Sequence, residues 1–146
     1  MKDLQLNNIS DNLYILLLSL NRQIFNPNDL TKKFNVPHSH IKVLFYLIHN
    51  SPTSISKMAK DLSISKPNMT PVLDKLVNDG LVNRYYDPND RRVIRIETTP
   101  KACEFLKSCE THVKSIATEK LLTLNEEDLN DLSNSLETII SIIRKF

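Results

Sequence analysis

Two adjacent arginines, Arg91 and Arg92, end the stretch Asp87-Pro88-Asn89-Asp90-Arg91-Arg92. Asp, Pro and Asn make this a turn-rich tip, and a guanidinium held on a turn offers five fixed donors to an anion. The chemistry open to such a tip is recognition rather than bond-making. Phosphate oxygens attract it, as does the negative potential of a narrow A·T-rich minor groove. A solvated loop pair is the plain alternative. Upstream, the stretch between Ser65 and Gly80 has helical spacing, with Met69, Val72, Leu73 and Leu76 forming one buried stripe. The opposite side carries Pro67, Thr70, Pro71, Asp74 and Asn78, with Asn68 and Lys75 on its flank. Short polar side chains and a proline ring on an outward helix face can meet base edges and a thymine methyl.

Catalytic chemistry finds no support. The chain has one glycine, Gly80, so it has no Gly-rich phosphate loop, and no nucleophile elbow is present. His38, His40, His49 and His112 are scattered without the Cys/His/acid spacing of a metal site. No cofactor and no metal are expected, and the protein is not read as an enzyme. Cys103 and Cys109 lie six apart on an expected helix and point in different directions, so they are read as free thiols rather than a disulfide.

The elements that must position the arginines follow from local signals. Ser54 is expected to cap a short helix through Asp61, with Ile55, Met58, Ala59 and Leu62 inward. After the tight turn Leu62-Ser63-Ile64-Ser65, the Ser65 hydroxyl is expected to cap the next helix, and Gly80 to stop it in a left-handed conformation. Pro71 removes one helical hydrogen bond, so that helix is expected to begin loosely or bend there. The period then changes to two. Leu81 to Tyr86 and Val93 to Glu97 read as strands around the arginine tip, making a helix-turn-helix followed by a two-stranded hairpin. This is a winged helix, whose usual partner is duplex DNA.

The run from Gly80-Leu81-Val82 through Arg84, Asp87-Pro88-Asn89-Asp90-Arg91-Arg92 to Thr98-Thr99 resembles the MarR family of bacterial transcription regulators. The resemblance implies a mainly α fold: a winged helix-turn-helix over about 39–100 with a small antiparallel β-hairpin wing, flanked by dimerisation helices at about 9–25 and 101–146, all in one domain. It also implies that an arginine at the position of Arg92 enters the minor groove, steadied by an aspartate at Asp90. The residues expected to face DNA are Ser65, Lys66, Asn68, Met69, Thr70, Pro71, Lys75, Arg84, Asp90, Arg91 and Arg92. Arg84 and Arg95 are expected at or near phosphate, and Lys57, Lys60, Lys66 and Lys75 at phosphate or simply in solvent. Some relatives sense oxidants through cysteine, which keeps a redox role for Cys103 or Cys109 as an alternative reading.

Elsewhere the pattern is helical. Ile9 to Phe25 carries Leu13, Leu16, Leu17, Leu20 and Ile24 on one face, and Asn26-Pro27-Asn28-Asp29 ends it. The next dozen residues read as a loop with one helical turn around Leu30 to Phe34. Ser39 to Asn50 is a second helix, broken by Ser51-Pro52. Thr99-Pro100 opens a helix to about Leu122. The last helix carries Leu129, Leu132, Leu136, Ile139, Ile140 and Ile143 in a coiled-coil-like seam.

Such wide terminal faces need a cover. Together with the resemblance they point to a homodimer through Leu13, Leu17, Leu20 and that seam, presenting two wings to a pseudo-palindromic duplex. The expected function is a dimeric repressor released by a small apolar or phenolic ligand. Tyr14, Phe25, Phe45, Tyr46 and Phe105 are candidates to line the ligand's pocket, or ordinary core aromatics. A protein-interaction module without a DNA site is the alternative from another class.

Net charge over the 146 residues is +2. From Thr53 to Lys101, nine Lys/Arg stand against six Asp/Glu, a local +3; from Ala102 to Phe146, five stand against eight, a local −3. A basic centre beside an acidic third suits a polyanion-facing module joined to one that faces elsewhere. No apolar run reaches membrane-spanning length and the start lacks a leader pattern, so the cytoplasm is expected and no membrane partner.

Overall fold

The computed structural model describes the whole chain, Met1–Phe146, as seven helices and three short strands. In order these are α1 (Lys2–Gln23), α2 (Pro27–Phe34), α3 (His38–Asn50), β1 (Thr53–Ser54), α4 (Ile55–Asp61), α5 (Lys66–Asn78), β2 (Val82–Tyr86), β3 (Ile94–Thr98), α6 (Pro100–Leu121) and α7 (Glu126–Ile143). The mainly α winged helix is as expected. The chain divides into two compact units: Phe25–His112, and the pair Met1–Ile24 with Val113–Phe146.

Four local expectations need correction. Helix α1 begins at Lys2, not Ile9, because nothing between them breaks a helix and Asp3 sits favourably in its first turn. The loop after Asn26 is instead the eight-residue α2: Asn26 Oδ1 accepts from the Asn28 amide at 3.0 Å, and Pro27 takes the first helical position. That cap-plus-proline signal is the one already read at Thr99-Pro100. The wing belongs to a three-stranded sheet rather than a lone hairpin. Thr53 pairs with Ile96 and Ser54 with Arg95, giving the order β1-β3-β2, all antiparallel. Two residues are too few for a period-of-two signal, so β1 left no pattern to read.

The fourth correction is at Ser65. Its hydroxyl makes no cap hydrogen bond. Pro67 has no amide hydrogen at the second position to donate one, and the Asn68 amide at the third donates to the Ser65 carbonyl at 3.0 Å. Helix α5 nonetheless runs unbroken through Pro71, and the Thr70 hydroxyl donates to the Lys66 carbonyl at 3.1 Å. Ser54, in contrast, does cap α4, accepting from the Lys57 amide at 3.2 Å.

The core of the Phe25–His112 unit is built from α3, α4, α5, the sheet and the start of α6. Leu44, Leu47, Met58, Met69, Leu73 and Ile96 are fully enclosed there. Each such side chain contributes about 1.5–3 kcal/mol by leaving water. Helix α5 ends where the glycine predicts. Gly80 has φ of +71°, its amide donates to the Val77 carbonyl at 3.0 Å, and the Leu81 amide donates to the Leu76 carbonyl at 2.9 Å. These paired bonds form the left-handed stop that favours glycine. The other unit is unlike this: no residue of α1 or α7 is buried.

Candidate nucleic-acid interface

The wing tip is held from inside by one carboxylate. Asp87 Oδ1 accepts from the Asn89 and Asp90 amides at 2.8 and 3.2 Å, and Asp87 Oδ2 accepts from Arg95 Nε at 2.6 Å. The Arg95 guanidinium, followed by the backbone amides, holds the Asp87 carboxyl below its ordinary titration range. Asp90 Oδ1 then accepts from both the amide and Nε of Arg92, at 3.0 and 3.2 Å. The Arg92 side chain still stands 92% exposed. The tip thus presents a guanidinium outward on a backbone stitched by two aspartates.

Cations from α4 through β3 fall into two sets. Lys57 pairs with Asp61 at 2.6 Å, Lys75 with Asp79 at 2.9 Å, Arg84 with Asp74 at 2.8 Å, and Arg95 and Arg92 as above. Lys60, Lys66 and Arg91 have no acid within 4.0 Å. Exposed ion pairs of this kind add little stability, but they set the direction of a side chain and partly cancel its charge. Arg84, expected at phosphate, therefore braces β2 to α5, and Arg95 braces the wing tip. The Asp87, Arg95 and Asp74 roles escaped sequence reading because the pairs span eight and ten residues and depend on strand register.

On α5 the side chains of Lys66, Asn68, Thr70, Pro71 and Lys75 are exposed, as is Ser65 before it. Met69 is the exception. Grouped with the groove-facing residues by expectation, it is fully enclosed with Leu73 and Leu76, which follow it at i+4 and i+7 on the same face. Its side chain cannot reach a ligand outside the core. Lys66 and Arg92 line one hollow of about 360 Å³ with Ser54, Ser56, Ile55 and Ile94, so the start of α5 and the wing face a common concavity. Ser54 and Ser56 were not foreseen there. A hydroxyl two residues from a helix cap carries no spacing signal of its own.

Behind α4, Tyr46 Oη donates to Asp61 Oδ2 at 2.6 Å, the oxygen that also receives Lys57 Nζ. Desolvation first, and the Asp61 bond second, raise the Tyr46 phenol above its usual range. Tyr46 is thus a structural tether. Tyr14, Phe25 and Phe45 are exposed. Phe105 alone of the five candidate aromatics lines a groove of about 410 Å³, with Phe34, Val36, Leu81, Asp79, Lys101 and Glu104. Phe34 packs edge-on to Phe105 at 5.4 Å between ring centres. Cys103 is exposed and Cys109 buried, where burial raises the thiol's pKa and keeps it protonated. No cluster of three His, Cys, Asp or Glu side chains is arranged to hold a metal ion. No helix is long and apolar enough to cross a membrane.

Of the nine residues expected to pair two copies, Leu13, Leu17, Leu129, Leu132, Leu136, Ile140 and Ile143 are exposed. Leu20 and Ile139 are half-buried.

The sequence matches the MarR family over residues 26–94. It is 31% identical over 98 residues to YhbI of Bacillus subtilis, described as an HTH-type transcriptional regulator; that stretch covers 64% of each chain. It is 22% identical over 136 residues to the HTH-type transcriptional regulator MgrA of Staphylococcus aureus, covering 92% of this chain and 91% of MgrA. Among solved structures, a MepR point mutant from S. aureus bound to an oligodeoxyribonucleotide superposes with a TM-score of 0.71 at 17% identity, over 90% of this chain and 97% of that one. The family match falls on α2 through the start of β3, the elements that build the wing and hold α5. Over residues 26–94 the chain is similar to the MarR family, and its fold is the winged helix-turn-helix of the transcription regulators it resembles.

Proposed function

We propose that this protein binds a pseudo-palindromic DNA operator as a homodimer and represses transcription until a small apolar or phenolic ligand releases it. The observation that carries the reading is the shared concavity. Lys66 from the recognition helix and Arg92 from the wing face it together, with Arg91 unpaired beside them. One helix for the major groove and one guanidinium for the adjoining minor groove is a division of labour that duplex DNA rewards. The oligonucleotide bound by MepR supports the same partner. The winged-helix unit makes the contacts, with Asn68, Thr70 and Pro71 toward base edges and Ser65, Lys66 and Lys75 near phosphate. The terminal unit joins the copies, because no residue on the apolar faces of α1 and α7 is buried within one chain. A chromosomal partner implies work in the cytoplasm.

Selection of bound duplexes from a random pool, followed by titration at two salt concentrations, tests this. A recovered twofold-symmetric site whose affinity falls steeply with salt is the expected result, because each phosphate contact releases a counterion. Failure to enrich any sequence, or binding indifferent to salt, sinks the reading and favours a protein-interaction module.

A further inference from the structure

The stop of the recognition helix and the start of α6 are fastened to each other. The Thr99 hydroxyl accepts the Ala102 amide at 3.3 Å, capping α6, and donates to the Gly80 carbonyl at 2.7 Å. Two residues on, Lys101 Nζ donates to the Asp79 carbonyl at 2.7 Å. The Thr99 amide adds a third bond, to the Leu81 carbonyl at 3.1 Å. A Cβ built on Gly80 would lie 3.9 Å from Lys101 Cδ and 4.0 Å from Nζ, so the lysine lies across the helix stop. Carbonyls at a helix C-terminus are unsatisfied and carry partial negative charge, and a cation there is favourable. Here the cation comes from the next helix. Helix α6 then runs unbroken to Leu121, past the end of the winged-helix unit at His112.

From this clasp we infer that Lys101 and Thr99 are positioning residues for DNA recognition. They fix the angle between α5 and α6, so that the spacing of two recognition helices in a dimer is dictated through α6. This rests on the dimeric DNA-binding reading above. Neither side chain is needed for the core: Lys101 is exposed and Thr99 only half-buried. Without the two side-chain bonds α5 keeps its own stop bonds at Gly80 and Leu81, and core packing and the Thr99 amide still join it to α6, but its end is held there less firmly.

The test uses the full chain and its selected operator, with half-sites at the native separation and with one or two base pairs added or removed. Wild type should bind the native separation and discriminate sharply against the others. Lys101→Met and Thr99→Val should melt within a few degrees of wild type. They should lose affinity at the native separation by roughly 3- to 10-fold, the scale of one hydrogen bond, and tolerate altered separations better. Lys101→Arg and Thr99→Ser, which keep the donor, should restore the sharp profile. If Lys101→Met and Thr99→Val discriminate among separations as wild type does, the clasp positions nothing. If wild type itself selects no symmetric site, the parent reading has failed and this inference falls with it.

Discussion

In α5, Leu73 and Leu76 are completely enclosed; in α7, Leu132, Leu136 and Ile140, at similar helical spacing, keep 36%, 41% and 48% of their surface open. The winged-helix unit and the terminal unit thus treat one kind of pattern in opposite ways. Helical periodicity says which face of a helix is apolar. It does not say what will cover that face. In the first unit α3, α4 and the sheet close over α5. In the second, nothing in the chain encloses a single residue of α1 or α7. An exposed apolar face is what the proposed dimer would cover.

The comparison breaks first at that surface. Leu136→Asp combined with Ile140→Asp should leave a monomer in sedimentation at micromolar concentration. Two unpaired carboxylates buried in an interface cost several kcal/mol. A double variant that stays dimeric would mean that α7 is not the seam, and the contrast between the units would need another cause.

Next in size is the wing. Arg92→Ala removes a guanidinium that is 92% exposed, so melting should barely change. Operator affinity should fall by roughly 1–3 kcal/mol, most on duplexes with A·T runs beneath the wing. Fluorescence titration against operator variants reads this directly. Equal affinity of variant and wild type on every duplex would remove the wing from the groove.

Within the covered unit, Gly80→Val should cost about 1–2 kcal/mol in thermal or urea unfolding. The new Cβ would meet Lys101 only at ordinary contact distance, so the penalty comes chiefly from φ of +71°. An unchanged melting temperature would mean the helix stop tolerates a side chain and that the clasp beside it is looser than its hydrogen bonds suggest.

The smallest effect is acid sensitivity of the wing latch. The Asp87 carboxyl titrates below its ordinary range, chiefly because of Arg95. A depressed folded pKa contributes stability in full above the unfolded value of about 3.9, lost as pH falls through the folded one. Melting of wild type should therefore drop more between pH 6 and pH 3 than melting of Asp87→Asn, which has no such group to titrate. Equal drops would place the acid response elsewhere.

Legibility in the sequence followed the range over which each signal acts. Gly80, Ser54 and Thr99 were readable because a stop or a cap is decided within a few residues. Helix α2 carried the same kind of cap at Asn26-Pro27 and was missed, its eight residues being too few to set up a convincing apolar period. Met69 was placed both in the buried stripe and among the groove residues. Burial decided for the stripe, since side chains at i, i+4 and i+7 cannot face opposite ways.

What the sequence by itself determined is therefore local: where helices start and stop, which faces are apolar, and that an arginine pair rides on a turn. The tertiary structure alone decided the pairings. That Arg84 is spent on Asp74 and Arg95 on Asp87, while Lys60, Lys66 and Arg91 stay free, depends on the register of β2 against β3 and on how the sheet meets α5. So does the Thr99 and Lys101 clasp, which joins residues nineteen and twenty-two apart. Coulomb and hydrogen-bond energies fall off over a few ångströms of space, and no count of residues along the chain contains that distance.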